Sequence, residues 1–328
     1  MITMKRTPIL GLLSIVALGG VFACSSTDTT INVNGDGGKT DGGGKTDGGS
    51  VDPDGGTVDT DGSTGSDGGT DGASGSTKGG VVFLTQTKPT ATTYSTFVGA
   101  SFFAATASTG GTSSCMTSTI GGCTVSECDL TPQDAGTAVD AGTPAAPPTA
   151  GDITISGGKI PSATPIVLSP GTDKTYTGKQ GTSQIYAGGD MVAVKGAGGD
   201  VPAFDATIAA PGDLSGFAPA LSFTAPITVD RTMDFTLNWT GGTAGKTTVS
   251  LSTADAGKKS VAIICSVDST ANKAVISKDA LAKLITTTAT VNGILSASPS
   301  ATSPVKAGDY SVVISASAAG GTGFFKTQ

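Results

Sequence analysis

A chain of 328 residues with no histidine and one glutamate, Glu127, has few chemistries open to it. No Ser-His-Asp or Cys-His arrangement, no histidine metal site and no glutamate pair can be built, which leaves aspartate pairs, Asp-Lys or Ser-Lys chemistry. Charged residues are 14%, aromatics 5% and glycines number 50, a mix suited to short strands and turns. The net charge of −7 is concentrated in residues 25–79, where ten aspartates face three lysines; the remainder is near neutral, so neither nucleic acid nor an anionic surface is implied as a partner.

The first segment opens with Lys5 and Arg6, continues from Ile9 to Val21 as an apolar run broken only by Gly11, Ser14, Gly19 and Gly20, and ends in Val21-Phe22-Ala23-Cys24-Ser25-Ser26. A positive start, an apolar middle of about a dozen residues and a small residue before the cut describe a signal peptide over 1–23. The run is too short to span a membrane, which takes about 20 apolar residues. The cysteine directly after the cut resembles the lipobox of bacterial lipoproteins, with Phe22 bulkier than that pattern prefers. The resemblance implies that Cys24 is the first mature residue, carries acyl chains and anchors the protein to membrane. Serines at 25 and 26, where aspartate would imply retention, imply outer-membrane sorting within that family. An ordinary signal peptide cut at the same bond is the competing reading.

Residues 24–79 then form an acidic tether of Thr-Asp-Gly-Gly type with almost no apolar side chains. Such a segment cannot bury enough surface to offset its ordering entropy, and disorder is expected. About 55 residues of this composition span roughly 40 Å on average. Asp52-Pro53-Asp54-Gly55 and Asp59-Thr60-Asp61-Gly62 imitate a calcium loop, but an EF-hand also needs a bidentate glutamate at its twelfth position, and the tether has none.

From residue 80 to 328 the composition is that of a folded β domain. Val81–Leu84 and Tyr94–Ala105 look like buried strands bounded by Thr, Gly and Pro. Gly121-Gly122 is a two-residue hairpin signal. It sets Ile120 opposite Cys123, Thr119 opposite Thr124 and Cys115 opposite Cys128. Bonded and non-bonded pairs alternate outward from the turn, so Cys115 and Cys128 fall on a non-bonded pair, the closer set. Met116, Ile120, Cys123 and Val125 then share one face. Cys115, Thr117, Thr119, Thr124, Ser126 and Cys128 share the other. Cys123 points to the core, and Cys265, in the apolar run Val261–Val267, is its expected partner. Two disulfides follow, Cys115–Cys128 and Cys123–Cys265, one of three possible connectivities and in keeping with an oxidising compartment. A thiol metal site is the rival; none of the spacings is that of a zinc knuckle.

Residues 131–150 read as a long flexible loop inside one domain, or as a linker if the Cys123–Cys265 bond fails. Beyond them short strands recur: Ile153–Ser156, Ser183–Tyr186, Met191–Lys195, Phe204–Ala209, Ile227–Val229, Met233–Trp239, Thr247–Ser252, Val261–Val267, Ala289–Val291, Ile294–Ala297 and Tyr310–Ala316. Asn292-Gly293 marks a second hairpin. One short helix is predicted, with Ser277 as N-cap, Asp279 in its first turn and Leu281, Leu284 and Ile285 on one face. Gly245-Lys246-Thr247, Asn238-Trp239-Thr240 and Gly196-Ala197-Gly198-Gly199-Asp200 imitate a phosphate loop, a glycosylation sequon and a glycine-rich nucleotide loop; turns and strand are the expected outcome.

The whole predicts a mainly β fold, an antiparallel β-sandwich of at best immunoglobulin-like architecture with one short helix. The expected function is that of a lipid-anchored, non-catalytic envelope protein, structural or partner-binding, with no cofactor and no metal. Its membrane contact is the acylated Cys24, and a surface glycan or envelope protein is the candidate partner. A surface-binding, adhesin-like module is the alternative, with Tyr94, Tyr176, Tyr186, Trp239 and Tyr310 as candidate contacts, although core packing suits most of them. A hydrolase would need two of Asp190, Asp200, Asp205, Asp230 and Asp234 at about 5–10 Å.

Overall fold

The computed structural model describes residues 78–90, 92–104, 115–129, 146–255, 259–287 and 293–328. The signal segment, Cys24 and the tether as far as residue 77 lie outside the described residues, as do 131–145 of the predicted loop and the predicted strand Ala289–Val291.

Among the described residues eighteen strands run in chain order. The first nine are β1 (Gly79–Thr87), β2 (Ser95–Phe103), β3 (Cys115–Ile120), β4 (Cys123–Asp129), β5 (Ile153–Gly157), β6 (Ile166–Leu168), β7 (Lys179–Gly181), β8 (Met191–Gly196) and β9 (Phe204–Ala209). Then come β10 (Leu214–Ala218), β11 (Ile227–Val229), β12 (Phe235–Gly241), β13 (Lys246–Ala254), β14 (Lys259–Asp268) and β15 (Lys273–Ile276). The last three are β16 (Gly293–Ala307), β17 (Tyr310–Ser317) and β18 (Gly321–Thr327). The helix α1 (Lys278–Leu281) precedes β16, and the Ser277 hydroxyl accepts its N-capping bond from the Ala280 N–H.

One large sheet runs β3-β4-β14-β13-β16-β17-β1-β2-β7, with β18 on β16 and β11 on β18. Its pairs are antiparallel except β1 with β17 and β11 with β18, which are parallel. Two small sheets, β6-β5-β8-β9 and β10-β12-β15, cover it. The alternation of the strands decides the faces. Val82 and Leu84 of β1, Val98 and Phe102 of β2 and Val312 and Ile314 of β17 pack with Ile153, Ile155, Val192, Val194 and Ile208 of the first small sheet. Val125, Val249, Leu251 and Ile263 pack with Leu237, Trp239 and Ile276 of the second, and Leu281 and Leu284 close that core. Each such side chain contributes about 1.5–3 kcal/mol when fully buried.

Both cores draw on one face of β16. Leu295 and Ala297 belong to the second core, Ala301 and Ala307 to the first, and all stand at odd-numbered positions of the same 15-residue strand. The strand changes neighbours midway: β13 pairs with it from Ile294 to Ser300, and β17 from Ser300 to Ala307. Exposed Pro304 lies in its second half, beyond the stretch paired with β13.

A second device recurs across the ladders. Gly79 stands opposite Phe103, Gly80 opposite Phe102 and Gly99 opposite Phe83. Gly196 likewise faces Phe204, and Gly293 faces Phe325. In each pair the ring lies where a side chain on the glycine would be. An aromatic laid over a strand glycine covers backbone that would otherwise meet water and pins the register.

The disulfides form as expected, Cys115–Cys128 and Cys123–Cys265. The hairpin register is the predicted one, with Cys115 opposite Cys128 and Ile120 opposite Cys123. Cys123 is in turn the ladder partner of Cys265, so the second bond ties β4 to β14 inside the core. With sequence separations of 13 and 142 residues, the two closures remove denatured-state entropy worth about 3 and about 5 kcal/mol.

Some predicted elements change. Ser183–Tyr186 is not a strand; it is an irregular segment with Ile185 and Tyr186 buried, and the strand lies upstream at β7. Ile294–Ala297 is only the first part of β16. The end of the expected flexible loop, 146–150, is held in place, since the Ala150 N–H donates to the Tyr176 hydroxyl and Ala150 is fully buried. Gly79, placed in the tether, opens β1. Glycines 245 and 198 occupy turns at positive φ, and Trp239 of the imitation sequon is in β12, so the three misleading motifs resolve as turns and strand.

Leu251→Ala removes a fully buried side chain of the second core and should cost about 2–5 kcal/mol. Ser298→Ala, at an exposed position of β16, should stay within about 0.5 kcal/mol. Chemical denaturation of the two variants checks the assignment of faces.

Candidate functional site

A concavity of polar character lies where β9 comes alongside β16, flanked by β13 and β14. It encloses about 680 Å³. Thr207, Thr248, Ser266 and Thr302 offer hydroxyls to it, and Lys246 Nζ meets Asp268 Oδ1 across its wall at 2.7 Å. That ion pair satisfies its own charges, so the cleft presents a neutral, hydrogen-bonding surface without an aromatic ring. A shallower depression of about 560 Å³ lies on the outer face of β5, β8 and β9 around Asp152, Thr154, Lys195 and Asp205. There Lys195 Nζ sits 2.9 Å from Asp205 Oδ2, and the bond to Asp205 raises the ammonium's pKa.

The five aspartates considered for hydrolysis are engaged separately. Asp190 accepts from the Ala187 N–H, Asp200 from Lys174 Nζ and the Thr149 N–H, and Asp230 from the N–H and hydroxyl of Thr232. Asp205 pairs with Lys195, and Asp234 accepts from the Lys278 N–H. The Lys174 bond lowers the pKa of Asp200, and the Thr232 hydroxyl does the same for Asp230. A general acid needs the opposite shift. Among the described residues no group of three or more Cys, Asp or Glu is placed to hold a metal ion.

The candidate contact aromatics are mostly interior. Tyr186, Trp239 and Tyr310 are buried. The Trp239 Nε1–H donates to the Ser269 carbonyl, and the Tyr186 hydroxyl lies against the carbonyls of Leu84 and Ser317. Tyr176 is half-buried with its hydroxyl donating to the Gly151 carbonyl. Tyr94, also half-buried, donates to Asp213 Oδ2 at 3.1 Å, while the other oxygen of Asp213 accepts from the Ala319 N–H. No sheet face gathers these five.

Sequence reasoning missed a different aromatic set. Phe83, Phe97 and Phe103 occupy odd-numbered positions of β1 and β2, opposite the core face. Phe83 and Phe97 stack at 5.6 Å between centroids, and Phe103 is 54% exposed. The readable signal was the run of Phe at both parities in β2, which leaves one parity facing outward whichever face is buried. Also missed was Gln86, almost fully buried, whose amide oxygen accepts from the Ile185 N–H and whose nitrogen donates to the Tyr186 carbonyl.

No protein-family profile matches this chain, and neither the curated proteins nor the solved structures yield a match.

Burial raises the Tyr186 phenol's pKa well above the ordinary tyrosine value. Stability from the neutral phenol is therefore full below about pH 10, the unfolded value, and is lost as pH rises toward the folded one. While the chain stays folded, ultraviolet titration of the wild type and Tyr186→Phe should give the same phenolate absorbance near pH 10.5. A larger gain in the wild type would mean that Tyr186 is open to solvent.

Proposed function

We propose that this chain is a lipid-anchored protein of the bacterial cell envelope. A non-catalytic β-sandwich domain is held away from the outer membrane on an acidic tether and serves structure or partner binding. The observation that carries the reading is the cysteine at the end of the apolar export signal, Val21-Phe22-Ala23-Cys24. Its resemblance to a lipobox implies acylation of Cys24. The paired state of the four remaining cysteines supports an exported setting. Several acyl chains give stable attachment where one chain is marginal. Against catalysis stand the absence of histidine from the sequence and the separate engagement of Asp190, Asp200, Asp205, Asp230 and Asp234.

Intact mass spectrometry of the membrane-extracted protein tests the anchor. The expected species begins at Cys24 and carries three acyl chains, and Cys24→Ser should move the protein from the membrane to the soluble fraction. An unmodified Cys24 in a soluble product would replace this reading with a released protein.

The surface-binding alternative draws on the outward phenylalanines of β1 and β2, a face with aromatic area and hydroxyl neighbours such as Ser101 and Thr85. On a glycan array, Phe103→Ala together with Phe97→Ala should abolish any retention shown by the wild type. Equal retention by the double variant would remove this face from the account.

A further inference from the structure

The two disulfides stand in opposite settings. Cys123 and Cys265 are each 2% exposed and lie within the second core. Cys115 is exposed and Cys128 half-buried, at the open end of an edge hairpin and on the face turned away from that core. Among the described residues β3 is the outermost strand and pairs with β4 alone, and it has five exposed residues and one half-buried. Of its side chains only Ile120, beside the turn, packs against the core. A reagent can therefore reach the Cys115–Cys128 bond, and the bond can open, without disturbing the interior.

The two sulfurs also differ from each other. The Ser126 hydroxyl, on the same outward face of β4, lies 3.6 Å from Cys128 Sγ. A hydroxyl there donates to a sulfur that gains negative charge and lowers the basicity of that thiolate. A less basic thiolate is the better leaving group in thiol–disulfide exchange. Strand alternation turns Glu127 and Asp129 to the opposite face, and Glu127 meets Lys283 Nζ at 3.3 Å, so neither carboxylate is directed at the leaving sulfur.

We propose that Cys115–Cys128 is an exchange-active disulfide and that Cys115 is the site at which an external thiol becomes attached. A thiolate from a small thiol compound attacks Cys115 Sγ from the solvent side. A new S–S bond forms to Cys115, the Cys115–Cys128 bond breaks, and its electron pair leaves on Cys128 as a thiolate that accepts the Ser126 hydrogen bond. A second molecule of the same thiol then attacks the external sulfur of the mixed disulfide and frees Cys115. Two thiols are oxidised to one disulfide, the Cys115–Cys128 bond is reduced by two electrons, and water protonates the thiolates formed. β3 is then held by its ladder to β4 alone, while Cys123–Cys265 continues to secure β4. The inference does not depend on acylation of Cys24.

The test treats the oxidised full chain with reduced glutathione, quenches with acid at intervals, alkylates free thiols and maps the non-reduced peptides. Glutathione should appear on Cys115, with a free thiol on Cys128 and Cys123–Cys265 intact. Loss of the exposed bond should be at least roughly tenfold faster than loss of the buried one. Ser126→Ala should slow the first step roughly threefold, and Ser126→Thr, which keeps the hydroxyl, should restore it. Circular dichroism verifies that each variant is folded. Equal reduction rates for the two bonds, an adduct on Cys128 in place of Cys115, or a Ser126→Ala rate equal to wild type would each overturn the proposal.

Discussion

The structure depends on one strand that serves two interiors. β16 is 15 residues long, and its odd-numbered side chains enter both hydrophobic cores in succession. A sheet buried on one face and open on the other fixes its register strongly, because a one-residue slip would turn every apolar side chain outward. In β16 such a slip would expose Leu295 and Ala297 of one core together with Ala301 and Ala307 of the other. β1 and β2, from the beginning of the described chain, join the sheet through β17, and β3 and β4 join through β14. The strands before the predicted loop are thus built into the same sheet as those after it, at opposite ends of the strand order.

The covalent staples follow this plan. Cys123–Cys265 closes a separation of 142 residues inside the ladder between β4 and β14 and ties the early hairpin to the late core. Cys115–Cys128 closes only 13 residues and restrains an edge strand that buries little. Among the described residues, the polar cleft beside β16 offers hydroxyls and the outer face of β1 and β2 offers phenylalanine rings.

Much of this was legible from local rules. The Gly121-Gly122 turn dictated the hairpin register and through it both disulfides, because pair type alternates mechanically from a two-residue turn. Leu237 and Trp239, alternating with polar neighbours, marked β12, and Ser277 marked the start of the helix. What stayed illegible came from pairing between distant parts of the chain. The parallel match of β1 with β17 has no sequence signature. The second half of β16, with Ser300, Ser303 and Pro304, reads as a turn, and only its neighbours make it a strand. Gly321 and Gly323 likewise concealed β18. Conversely, Ile185 and Tyr186 look like strand residues but fill a core from an irregular segment, anchored by Gln86. The candidate sites divided in the same way: the cysteines were readable from spacing, whereas three of the five candidate contact aromatics proved to be core, and the outward aromatics were phenylalanines set over or beside glycines.

Native-state hydrogen exchange along β16 tests the central claim most directly. If one strand unites the two cores, the amides of Leu295 and Val305 should exchange through the same cooperative opening, with equal free energies and equal dependence on denaturant. Separate openings, with the Val305 half exchanging while the Leu295 half stays protected or the reverse, would contradict it and make the sandwich two independently stable units on one strand.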